Sequence, residues 1–254
     1  MAEMTSRERV VATLNHEQPD RVPVSLGGTA HKLSNSRTLA LREHFGLEGE
    51  PPLVLTGPGF SYYDTEVLDR LGTDIRHVFL RPPDGFRTEQ APDGGWLDEW
   101  GLSYKQADMM YELGGTPFAD LAAEDIRRFP GPDPSRPELV AGLVEEARHL
   151  AESTTCAVAA YRPLYSGIFE LAQMLRGTEK LLIELLTETE LVEALFERLT
   201  DIQISFYDVL LDAVGEFLQI VEYADDLGTQ SAPLISPKTY RALIKPCHIR
   251  ITQS

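Results

Sequence analysis

Apolar and polar positions alternate along this chain in two periods, and the elements they predict follow one another as helix and strand. Residues 5–16 carry Val10, Val11 and Leu14 on a helical stripe, with Thr5 and Glu8 spaced as a capping box. A short apolar run at 22–26, VPVSL, predicts a strand, and 37–45 predicts a helix with Ser36 as N-cap and Gly46 as its stop. Residues 63–71 read as helical and 75–80 as a strand. Beyond a Pro-rich connector at 129–137 the alternation becomes regular. A helix over 137–152 precedes a strand at 156–161, and helices over 167–175, 179–186 and 188–214 follow. The run FLQIV at 217–221 predicts a buried strand. Ser236 and Pro237 then start a last helix as N-cap and first helical residue. Strands that alternate with helices predict parallel βαβ units.

Residues 82–115 break this rhythm. Gly, Pro, Asp and aromatic residues, among them Trp96, Trp100, Tyr104 and Tyr111, predict short strands and turns, a hairpin excursion whose tryptophans serve packing.

Composition narrows the partners. Of 254 residues 43% are apolar, enough for a large core, and the net charge is −17. A surface this acidic repels phosphate backbones and anionic lipid, so neither nucleic acid nor membrane is expected as a partner. The two cysteines, Cys156 and Cys247, form no metal-type spacing, the N-terminus has no apolar targeting segment, and no apolar run reaches membrane-spanning length. A cytoplasmic location is the expectation.

Candidate chemistry gathers where predicted strands run out, the edge at which open α/β sheets and α/β barrels bind ligands. After the FLQIV strand comes EYADDLG, with Asp225 and Asp226 as candidate catalytic residues. A carboxylate pair there orients a hydroxyl, holds a cation or shares a proton; equally, one member caps a loop or helix and the other forms an ion pair. Thr29 and His31 follow the first strand in GGTAH. Tyr161, Arg162 and Tyr165 follow the third, where Arg162 either grips an anionic substrate or pairs with the acidic residues. Gln230 completes the candidate substrate-binding set. Cys247 and His248 are neighbours on a helix and so face apart; no metal ligands are assigned.

Three stretches, taken in order, carry a resemblance: PDRVPV from Pro19, FELA with LRG from Phe169 to Gly177, and YADDLGTQ with ISPKTYR and IKP from Tyr223 to Pro246. Together they resemble the uroporphyrinogen decarboxylase superfamily, which includes porphyrinogen decarboxylases and methyltransferases that work with methyl-corrinoid proteins. The resemblance implies a (β/α)8 barrel. Only about four strands for such a sheet are legible here against the eight required. The chain is therefore expected to be a single domain holding about the first half of the barrel. An open edge at the last strand would then favour a homo-oligomer or a complementary C-terminal fragment as partner, and leave the chain alone poorly stable and inactive.

The branch follows from what the rim lacks. Decarboxylases of the superfamily carry an arginine pair after the first strand for the propionates of the porphyrinogen; here the segment is SLGGTAHKLSNSR, without that pair. The expected activity is methyl transfer from a corrinoid-linked donor, with uroporphyrinogen decarboxylation and a non-catalytic binding role as alternatives. The partner is then a small molecule or a corrinoid protein. The methyltransferase branch implies zinc held by a His-x-Cys and a later Cys, expected outside these residues, so no cofactor is expected within the chain.

Overall fold

The computed structural model describes residues 3–29, 31–55, 60–81, 89–90, 95–107, 110–164 and 166–254. In chain order the elements are α1 (Ser6–Leu14), α2 (Asn35–Phe45), β1 (Leu53–Leu55), β2 (Phe60–Tyr62), α3 (Thr65–Arg70) and β3 (Ile75–Val78). Next come β4 (Glu89–Gln90), β5 (Trp96–Leu97), β6 (Ser103–Ala107), β7 (Met110–Gly114), α4 (Ala123–Arg128), α5 (Leu143–Ser153) and β8 (Ala157–Ala160). The chain continues through α6 (Ile168–Arg176), α7 (Thr178–Thr187), α8 (Thr189–Val214), β9 (Ile220–Val221), α9 (Pro237–Thr239) and α10 (Lys245–Gln253). They fall into two compact units, Met1–Pro82 with Pro137–Pro163 and Val209–Ala224, and Pro83–Arg136 with Leu164–Asp208 and Asp225–Ser254.

The first unit is built on a parallel sheet in the order β3-β8-β9. Every residue of β3 and β8 is buried. A strand covered on both faces is what a parallel sheet requires. The alanines of β8 keep its faces flat, and Ala157 and Ala159 pack with Val10 of α1, Ile75 and Ile220. Tyr63, Leu68, Phe79 and Tyr161 form a second apolar cluster.

Four local expectations change. Residues 22–26 form no strand: Pro23 has no N–H to donate, and the Val24 amide and carbonyl are taken by the Asp74 carboxylate and amide at 2.8 and 2.7 Å. The FLQIV run opens as a 3-10 turn over Gly215–Phe217, so β9 holds only Ile220–Val221. The helix expected over 137–152 is interrupted by Gly142 at φ 69°, which divides a 3-10 turn from α5. Finally, the α1 stripe narrows to Val10 and Ala12, with Val11 and Leu14 exposed. Arg9 takes the third buried place because two carboxylates neutralise it. The capping box itself forms: Thr5 accepts from the Glu8 amide and Glu8 from the Thr5 amide.

Those carboxylates close a four-membered network. Arg9 binds Asp20 at 2.5 Å and Asp74 at 2.7 Å, and Arg21 binds Asp74 at 2.7 Å. Asp20 and Arg21, the polar pair of PDRVPV, are thus a lock between α1 and the start of β3. Hydrogen bonds from Arg9 and from the Met4 amide hold the Asp20 carboxyl well below the usual range. Burial pushes the Asp74 carboxyl up, but bonds from Arg21, the Val24 amide, Ser6 and Arg9 outweigh it and the net shift is downward. With both folded pKa values depressed, the unfolded chain binds more protons below the unperturbed value of about 3.9. Stability from this network is therefore complete above about pH 4 and is lost as the pH falls through the folded values. Acid titration followed by circular dichroism should show a loss that begins below about pH 4 and is reduced in Asp20→Asn; a midpoint between pH 5 and 7 would contradict it.

The second unit contains an antiparallel sheet in the order β4-β5-β6-β7. Trp96 stacks on Tyr104 and Trp100 on Phe129, each with ring centroids 6.0 Å apart. Arg176, from the LRG stretch, is buried and bidentate on Glu184, and also donates to the Phe118 and Leu121 carbonyls. Arg176 is thus a structural tie. Among the described residues no helix is long and apolar enough to cross a membrane.

Candidate functional site

The C-terminal ends of β3, β8 and β9 lie on one side of the parallel sheet, because all three strands run the same way. His77 pairs in register with Ala159, and Ala159 with Ile220. Glu222 follows β9 directly, and its Oε1 lies 3.1 Å from His77 Nε2. The other Glu222 oxygen accepts from the Thr29 amide at 2.8 Å and from the Thr29 hydroxyl at 2.7 Å. His31 lies against the same group, its ring edge-on to His77 with centroids 6.4 Å apart, and Ser25 Oγ stands 2.8 Å from its Nε2. One donor atom from each of His31, His77 and Glu222 falls within 4.8 Å of the other two.

Burial and partners set the charge. Burial pushes the Glu222 carboxyl up, but the hydrogen bond and charge of His77, with the two bonds from Thr29, prevail and lower it to about 2. Glu222 is therefore ionised throughout the physiological range. Tyr63 donates or accepts at His77 Nδ1 across 3.4 Å, accepts the His77 amide at 2.6 Å, and has its own pKa raised by burial. Burial likewise raises the Tyr161 pKa, against the opposing influence of Arg162; Tyr161 interacts with Arg162 and with Thr29. Lys32 is exposed as a residue, yet partial desolvation and the like charge of Arg162 lower its ammonium pKa. Arg162 Nε is buried with no hydrogen-bond partner among the described residues. The arrangement offers an ionised carboxylate on an imidazole, a neutral phenol, and two cations with a donor to spare.

Gly28 makes the cluster possible. A methyl group on it would overlap Glu222 Oε1 and stand 2.9 Å from both His31 Cε1 and His77 Nε2. The backbone approaches the three side chains more closely than any other residue permits.

Thr29, His31, Tyr161 and Arg162, expected from sequence, thus belong to one unit with Glu222. Asp225, Asp226 and Gln230 belong to the other, and Tyr165 lies outside the described residues. The Asp225 carboxylate accepts the Phe169 amide at 3.0 Å and the Glu170 amide at 2.9 Å, capping α6 where Gly167 has no side chain to do so. It also binds His248 Nε2 at 3.0 Å. Asp226 is exposed and accepts the Gly228 amide at 3.3 Å. Gln230 is exposed. A concavity of about 650 Å³ in the second unit is lined by Arg176, Lys180 and Glu184 among others, whose charged groups serve internal bonds.

Sequence reasoning missed His77 and Lys32, discounted His248, and named Glu222 only as part of a loop. Signals existed for two of them: His77 is a polar residue inside an apolar strand, and Glu222 stands nearer the strand end than the Asp pair. His248 was set aside because it neighbours Cys247. The two do face apart, Cys247 toward the Leu243 carbonyl and His248 toward Asp225.

Two of the stretches that carried the resemblance meet at Asp225 of YADDLG, which accepts the Phe169 and Glu170 amides in the first turn of α6. Residues 108–254 match the family described as uroporphyrinogen decarboxylase (URO-D), more than half of the 254 residues. The chain belongs to the uroporphyrinogen decarboxylase family. Among solved structures it is similar to a methyltransferase from Methanosarcina mazei, with TM-score 0.57 and 16% identity over 99% of this chain and 67% of that one. At that identity the likeness concerns the fold: an α/β protein with a parallel sheet, as fits a (β/α)8-barrel superfamily. Comparison with curated proteins gives no match. The His-x-Cys zinc motif implied by the methyltransferase branch does not fit this chain. Thr154 and Lys245 stand two residues before Cys156 and Cys247, and the two cysteines fall in different units.

Proposed function

We propose that this member of the uroporphyrinogen decarboxylase family acts in methyl transfer on a small anionic substrate, with a corrinoid-linked methyl group as donor. The observation that carries the reading is the cation count at the Glu222 cluster. Among the described residues, Arg162 acts on Tyr161, which also interacts with Thr29 of that cluster, and Lys32 feels the like charge of Arg162, so two cations adjoin it. Two cations suit a substrate with one or two anionic groups. A porphyrinogen with eight carboxylates needs more, or pays a large desolvation penalty. The fold likeness to a methyltransferase is in keeping with this choice.

In this reading Arg162, with its spare Nε donor, and Lys32 hold the anionic group of the substrate. Glu222, ionised and bonded to both His77 and Thr29, fixes the imidazole and the loop beside the substrate. Tyr161 keeps its proton and orients the substrate as a donor.

Joined by the complementary C-terminal fragment expected from the sequence, the chain should transfer methyl from methylcobalamin to a small thiol that carries a sulfonate or carboxylate. Arg162→Met should raise KM with less effect on kcat, as loss of uniform binding does. Decarboxylation of uroporphyrinogen at a higher kcat/KM than methyl transfer would overturn the branch.

A further inference from the structure

We infer that His31, His77 and Glu222 form a binding site for a divalent first-row transition ion. The donor set, two imidazoles and one carboxylate, matches zinc or iron(II). It differs from the thiol set that the methyltransferase branch implies, and it stands independently of the reaction class proposed above.

The first argument is distance. Two donors about 2.0–2.2 Å from a shared ion stand about 3.0–3.5 Å apart. His77 Nε2 and Glu222 Oε1 are 3.1 Å apart, so an ion can take the place of their hydrogen bond without moving either residue far. The third donor lies within 4.8 Å of both.

The second argument is the supporting shell. Ligating imidazoles and carboxylates in metal sites are oriented by further hydrogen bonds. Each group here has such a partner: Tyr63 for His77, Ser25 for His31, and Thr29, through both amide and hydroxyl, for Glu222. His77 is fixed by its strand, and Gly28 removes the Cβ that would fill the space between the three. Three protein ligands leave a position open to water or substrate, the arrangement of reactive rather than structural zinc.

The test uses the full chain after chelator treatment and dialysis, titrated with zinc chloride by calorimetry and followed by thermal unfolding. One saturable site and a rise in Tm are expected. His31→Gln and Glu222→Gln should each weaken zinc binding by about 100-fold or more and remove the rise in Tm. Cys247→Ser should leave both unchanged, which separates this site from the Cys247–His248 pair. Because His31 is only half-buried, its variant is expected to fold, and its Tm without metal checks that. The inference is overturned if zinc does not saturate a single site. It is equally overturned if binding survives in His31→Gln and Glu222→Gln, or is lost in Cys247→Ser. None of these readouts depends on methyl transfer, so the two proposals fail separately.

Discussion

Gly28→Ala should dismantle the Glu222 cluster while leaving the rest of the first unit folded. The added methyl overlaps Glu222 Oε1 and crowds His31 and His77 at 2.9 Å. These atoms are side-chain ends, but they are tied down. Glu222 is held by Thr29 and His77, and His77 lies in a fully buried strand. Relief requires at least one of those bonds to break. Overpacking of this kind costs about 1–3 kcal/mol, a modest loss for the whole chain. The functional loss should be larger, because the donors no longer converge: zinc affinity and methyl transfer should each fall about 100-fold, the scale set by misplacement of about 1 Å. Gly215→Ala is the control, since its methyl would meet Leu211 Cβ at an ordinary 3.9 Å. Wild-type zinc affinity and Tm in Gly28→Ala would show that the cluster is not as close-packed as described.

Asp74→Ala should produce the largest loss of stability. Asp74 is fully buried and receives Arg9, Arg21 and the Val24 amide. Its removal leaves the Arg9 guanidinium, 4% exposed, with one carboxylate in place of two, and leaves the Val24 amide without its acceptor. Breaking a buried pair from one side costs about 3–5 kcal/mol. That is a large share of the total stability of a domain, about 5–15 kcal/mol, and should lower Tm on the order of 10 °C. Urea unfolding supplies the free energy. A double-mutant cycle with Arg9→Ala should give a combined cost smaller than the sum, since the two residues share the interaction. A cost below about 1 kcal/mol for Asp74→Ala would place this network with exposed ion pairs.

Local chemistry was legible in the sequence. The capping box of α1, the stop at Gly46 and the Ser236–Pro237 helix start need only neighbouring residues, and the three motif stretches were enough to name the family. The sequence also placed Tyr161 and Arg162 at a strand end, and the first unit gathers them with Thr29 and His31, which follow a segment that forms no strand. Its errors arose where a distant residue settled a local choice. Val22–Leu26 looks like a strand, but Asp74 takes the Val24 groups that a ladder would use. For Asp225 the sequence left a catalytic and a capping role equally open, and the fold uses it to cap α6. The α1 stripe looks like Val10, Val11 and Leu14, but Asp20 and Asp74 admit Arg9 to the core while Val11 and Leu14 stay exposed.

The candidate site shows the same division. Residue types and strand ends are properties of the sequence. The pairing of His77 with Glu222, 145 positions apart, is not, because it depends on the parallel register that sets β3 and β9 on either side of β8. A shift of one residue in that register would turn His77 to the opposite face of the sheet. Period and propensity set which residues form the strands; only the packed sheet decides which side chains meet at its edge.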